Sequence, residues 1–180
     1  MLFSCTQSAK KEDGLLQILT ADFAEHKNFM PLETLDLSSQ GIKDKIHVIY
    51  VDFDPDADGN AFPKNEDVDH FSFKIEQDGA YRPTFKKSAL KISRDYEEYF
   101  KEDLKAYQKA KSKKDSPIWI DVSDEPEWWQ DDETPLNSKG KPMKFICQTD
   151  MGRMDINDDC RLFVFYDEAD RIVRYIYQRT

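Results

Sequence analysis

The chain has 180 residues, of which 34% are charged and 13% aromatic, and its net charge is −10. That length suits one domain with a real core, and each large aromatic ring can bury about 150–250 Å². The acidity excludes sequence-independent nucleic-acid binding, which needs clustered Lys and Arg, and docking on anionic lipid; it suits a cationic protein partner, a metal ion, or solubility alone.

Residues 1–13 read as a polar leader ahead of one domain spanning 14–180. Leu2-Phe3-Ser4-Cys5 is similar to the end of a bacterial lipoprotein signal. No basic n-region or apolar h-region accompanies it, so the expectation is a cytoplasmic protein. The alternative is a lipoprotein anchored through Cys5, with the true start upstream. Three cysteines, Cys5, Cys147 and Cys160, are an odd and sparse set, which fits a reducing compartment without a disulfide framework. Cys147 and Cys160 fall on adjacent predicted strands, where they can be neighbours. No run of eighteen apolar residues exists, so no membrane span is expected.

Gly14–Thr20 is a short apolar run and reads as a strand. Residues 46–53 are apolar on both alternating faces, as in a central strand. A very polar loop covers roughly 54–68. Phe71, Phe73 and Ile75 then alternate with Ser72, Lys74 and Glu76, the pattern of a half-buried strand. Asp78-Gly79 supports a hairpin turn, and Pro83 confines the returning segment to a sheet edge.

The spacing predicts one helix over 93–113. Ser93 can cap it, and Tyr96, Phe100, Leu104 and Tyr107 form an apolar stripe. Lys109, Lys111, Lys113 and Lys114 crowd its end, where cations complement the helix dipole. Ile118-Trp119-Ile120 reads as a short strand. Runs at 143–149, 160–166 and 171–178 are rich in β-branched and aromatic residues and read as strands of a packed sheet. Strands and helices do not alternate, so the fold class is α+β: a single domain with a mostly antiparallel sheet and one clear helix packed on it.

The C-terminal part resembles the YwqG-like family of bacterial proteins. Pro126, Trp128, Trp129 and Gln130 match a Pro-x-Trp/Tyr-x-Gln segment. Phe145, Ile146, Gln148 and Asp150 match an L-L-x-Q-x-D strand. Asp159, Leu162, Phe163 and Phe165 match a D-x-G-x-L-Y-F-F strand, and Gln178 closes the last strand. Gly14-Leu15-Leu16-Gln17 looks like the equivalent strand of an N-terminal half. Residues 54–92 match nothing in that pattern, and Cys160 stands where the family often has a small residue. The resemblance implies no reaction. It implies instead a binding protein, since some relatives lie in gene neighbourhoods typical of immunity proteins that neutralise a toxin.

Three acidic clusters carry the candidate chemistry. Asp54, Asp56, Asp58 and Asn60 have the D-x-D-x-D-G spacing of calcium loops, in which alternate carboxylates converge on one hard cation. Asn65 stands where an EF-hand has its bidentate Glu, and no helices flank the loop; a solvated turn is the competing reading. The second cluster runs from Asp121 to Glu133 without a Lys or Arg. Within it, Trp128, Trp129, Asp131, Asp132 and Glu133 suit a partner surface for a cationic protein such as a toxin, because Trp is enriched at interface hot spots. One Trp is expected to be exposed beside Asp131 and Asp132, the other buried. The third cluster, Asp150, Asp155, Asp158 and Asp159, reads as a polar hairpin loop or, with Gln148, as a metal site. His26, His47 and His70 lack metal-ligand spacing, and no nucleophile elbow or phosphate-binding loop is present. A catalytic centre is not the expectation.

Overall fold

The computed structural model describes residues 17–113, 120–157 and 159–180. Among the described residues, seven strands and one α-helix form a single α+β domain. The strands are β1 (Phe29–Leu35), β2 (Ile46–Val51), β3 (His70–Ile75), β4 (Tyr81–Pro83), β5 (Lys144–Asp150), β6 (Cys160–Asp167) and β7 (Ile172–Arg179); α1 is Glu97–Ser112. β1 and β2 pair alone, and the other five form a sheet in the order β4-β3-β7-β6-β5. All strand pairs are antiparallel. β4, which contains Pro83, has a strand partner on one side only, and Gly79 takes φ +90° in the turn before it.

The core lies between the two sheets. Alternation sends Phe71, Phe73, Val173, Tyr175 and Tyr177 to the inner face of the large sheet, where they meet Ile46, Val48 and Tyr50 of β2. Phe71 and Tyr175 face each other across β3 and β7 with their rings stacked at 5.3 Å. All six β2 residues are buried, which requires partners for the main-chain groups on the edge away from β1. Tyrosine hydroxyls from the large sheet supply those of His47 and Val51. Tyr81 Oη accepts the His47 N–H and donates to the Lys45 carbonyl; Tyr175 Oη donates to the His47 carbonyl; Tyr177 Oη serves Val51.

The helix is shorter than the sequence pattern suggests. Ser93 Oγ does accept the Tyr96 N–H, but residues 94–96 form a turn, and α1 begins at Glu97. The stripe Tyr96, Phe100, Leu104, Tyr107 is only half-buried, and Ala110 is the one fully buried residue of α1. The helix leans on the outer edge of β1, where Tyr107 Oη donates to the Pro31 carbonyl and Lys111 Nζ to that of Leu32.

Of the expected N-terminal strand, 14–16 lie outside the described residues, and the remainder contributes one parallel bridge, Leu19 to Tyr81. Ile118 and Trp119 also lie outside, as does Cys5. Cys147 and Cys160 are buried unpaired thiols; Cys147 sits opposite Val164, four residues along β6 from Cys160, so they are not neighbours. His47 is a satisfied core histidine, its Nδ1 2.8 Å from Thr34 Oγ1. Among the described residues, no helix is long and apolar enough to cross a membrane.

Candidate functional site: an acidic strap on the outer sheet face

The outer face of the large sheet carries a second apolar cluster, Met143, Phe163, Phe165 and Ile176. No helix covers it. Residues 121–133 run across it as an extended strap whose only regular contact among the described residues is a bridge from Asp121 to Gln148 at the edge of β5. Trp128 presses on the apolar cluster, with its ring 4.4 Å from that of Phe163 and 5.8 Å from that of Phe165.

Two buried glutamines hold the strap. Gln148 on β5 is 4% exposed and Gln178 on β7 is 1% exposed. Gln148 Oε1 accepts the Glu127 N–H at 2.8 Å. Gln178 Oε1 accepts the N–H groups of Trp129 and Gln130 at 2.8 and 3.1 Å, and its Nε2 donates to the Asp131 carbonyl and the Glu133 carboxylate at 2.9 and 3.0 Å. Gln178 thus uses both amide ends on one passing segment, which is why a buried polar side chain is tolerated beside Phe163 and Ile176. Arg161 of β6 donates to the Glu127 carbonyl at 2.8 Å and lays its guanidinium 4.6 Å over the Trp129 ring. Glu133 also meets His70 Nε2 at 3.3 Å.

This anchorage turns the acids outward. Asp121, Asp124, Glu125, Glu127, Asp131 and Asp132 are exposed, and Glu133 is half-buried. Hydrogen bonds from the Thr134 hydroxyl and N–H hold the Asp132 carboxyl below the usual range. The two tryptophans do not divide into one exposed and one buried as expected. Both are half-buried, Trp128 under the strap on the phenylalanines and Trp129 beneath Arg161. Gln178, Arg161 and His70 were not legible as anchors; the available signal was a polar residue in an apolar strand.

The Asp54–Asn60 segment is a chain of turns. Asp54 is buried, and its carboxylate accepts the N–H groups of Ser93 and Asp56 at 2.7 and 3.0 Å. Burial pushes its acidity one way, and the hydrogen bonds from Ser93 outweigh that and hold the carboxyl low. Asp58 takes the Asn60 N–H and side-chain amide at 2.9 and 2.8 Å. Asp56 gives its N–H to Asp54. In the third cluster, Asp150 caps Gly152, Asp155 pairs with Lys109, Gln148 is engaged by the strap, and Asp158 lies outside the described residues. Among the described residues, no group of three or more His, Cys, Asp or Glu side chains is placed to hold a metal ion.

A buried acid, Asp52, stands directly after β2. Asp52 is 1% exposed and accepts the Tyr96 hydroxyl at 2.8 Å. Burial, reinforced by the negative charge of Asp103, raises its pKa to about 7, against the opposing hydrogen bond from Tyr96.

Comparison with protein-family profiles, curated proteins and solved structures finds no match for this chain.

Proposed function

We propose that this protein is a non-catalytic binding module whose acidic strap engages a positively charged protein surface, in the manner of an immunity protein masking a toxin. The observation that carries the reading is the four-bond clamp of Gln178 on residues 129–133, which leaves Asp131 and Asp132 pointing into solvent. A fixed row of like charges raises the encounter rate with an oppositely charged partner and suppresses wrong partners. The strap and both glutamines coincide with the residues that resemble the YwqG-like family, which supports a shared role in presenting this segment.

The test is calorimetry with the product of the gene adjacent to this one. Binding should weaken with rising salt, and a triple Asp124→Asn, Asp131→Asn, Asp132→Asn variant should bind at least about tenfold more weakly with an unchanged melting temperature. An equal affinity for the triple variant, or no binding by the wild type, rejects the reading.

A further inference from the structure

We propose that residues 121–133 form a strap that lifts from the sheet as one unit while the five strands stay paired. The proposal is independent of any partner and rests on how the segment is tied down. Among the described residues, main-chain hydrogen bonds join the strap to the sheet only at Asp121, which exchanges bonds of 2.8 and 2.9 Å with Gln148. From 122 to 133 every hydrogen-bonded tether involves a side chain: Gln148 and Arg161 hold Glu127, Gln178 holds Trp129, Gln130, Asp131 and Glu133, His70 meets Glu133, and the Gln130 amide donates to the Arg179 carbonyl at 2.6 Å. Lifting the strap therefore breaks none of the bonds that pair β3, β7, β6 and β5.

The tethers also act together. Gln178 Oε1 is shared by two successive N–H groups, and Trp128 lies between the Gln148 and Gln178 contacts. Releasing the residues around Trp128 pulls its ring from Phe163, so the polar and apolar contacts fail as a set. The acids of 124–133, with no Lys or Arg among them, repel one another within the strap and favour release. The open form exposes Phe163, Phe165 and Ile176, a continuous apolar face on an intact sheet. Sub-global openings of this kind involve segments with few ladder bonds and run well below the cost of global unfolding.

Native-state hydrogen exchange tests this on the whole protein. The amides of Glu127, Trp129 and Gln130 should exchange at one common rate, at least about a hundredfold faster than those of Phe163 and Tyr175, with a smaller dependence on denaturant. Gln178→Ala should speed all three strap amides together by about tenfold or more, Glu127 included although Gln178 does not touch it, and leave the sheet amides in place. Strap amides as protected as the sheet, with the same denaturant slope, overturn the proposal. So does a variant in which Trp129 and Gln130 accelerate while Glu127 does not. If Gln178→Ala fails to fold, the wild-type rates and slopes alone decide.

Discussion

The hydroxyl of Tyr177 accepts the N–H of Val51 at 2.8 Å and donates to the carbonyl of that same residue at 3.1 Å. One side-chain atom thereby satisfies both main-chain groups of a residue that is wholly buried. With Tyr81 and Tyr175 on the preceding stretch of β2, it replaces the missing neighbour strand of a two-stranded sheet. Burial also pushes the Tyr177 phenol well above its ordinary range, so the hydroxyl keeps its proton.

Tyr177→Phe keeps the ring and removes the hydroxyl, leaving a buried N–H and a buried C=O unpaired. The expected loss is about 2–4 kcal/mol, because each orphaned group costs its desolvation. For a chain of this size that lowers the melting temperature by roughly 5–15 °C. Denaturant melts of the two proteins measure it; a loss below about 0.5 kcal/mol would show that the edge of β2 does not depend on this contact.

Gln178→Glu is the sharpest probe of the strap. The carboxylate still accepts from Trp129 and Gln130, but it loses both donor contacts and faces the Glu133 carboxylate, 3.0 Å from the present Nε2. Burial and that neighbour raise the pKa of the new acid in the folded state. The penalty is therefore absent below the unfolded-state pKa of about 4.3 and grows as pH rises through the folded value. Wild type and variant should melt together near pH 4 and diverge at neutral pH. Parallel curves across that range would place Gln178 outside any tight contact with Glu133.

The two tryptophans should differ in kind. Trp128 covers Phe163 and Phe165, so Trp128→Ala opens the outer apolar cluster and costs about 2–3 kcal/mol, less than a fully buried Trp. Among the described residues, Trp129 meets only Arg161 in a ring or cation contact, and Trp129→Ala costs about 0.5–1 kcal/mol. Equilibrium unfolding of both variants decides the order; equal losses contradict it.

Six of the seven described strands were legible in the sequence because each carries its own signal; β1 was not, because its Met30-Pro31 pair reads as a turn. Phe71, Phe73 and Ile75 alternate over polar neighbours, and 160–166 is apolar apart from Arg161 because β6 lies between two strands and is covered on both faces. The split into two sheets was not legible, since it rests on tyrosine hydroxyls meeting β2 more than thirty residues away in sequence. The helix was overextended by Tyr96, whose hydroxyl binds Asp52 from a turn and whose spacing imitates the helical stripe. At the strap, composition marked the acids and tryptophans. It could not assign exposure, because Arg161 comes from a strand more than thirty residues downstream of Trp129.

The carboxylates of Asp54 and Asp58 are committed to N–H groups of their own loop and of Ser93. Capture of Ca²⁺ there requires those turns to open and the Asp54 carboxyl to leave its buried position. Millimolar Ca²⁺ should therefore leave the melting temperature unchanged and release no heat in a titration. A rise in melting temperature that Asp54→Asn or Asp58→Asn abolishes would instead establish the loop as a calcium site.

Asp52 sets a pH dependence of opposite sense to that of ordinary paired carboxylates. Its pKa moves from the ordinary 3.8 to about 7 on folding. Below the lower value both states hold the proton, and its contribution to stability is fully present. Between the two values the unfolded chain releases the proton while the native state retains it, so stability falls as pH rises, and above about pH 7 the loss is complete at several kcal/mol. Asp52→Asn keeps the acceptor for the Tyr96 hydroxyl and carries no charge. It should flatten this decline and melt higher than the wild type at about pH 8, with little difference at about pH 4. The check is a series of thermal melts across that range, paired with the carboxyl ¹³C titration of Asp52. A carboxyl that titrates near its ordinary value, or a variant that is no more stable at pH 8, would mean that Asp52 sits ionised beside Tyr96 and that the fold bears no cost for its burial.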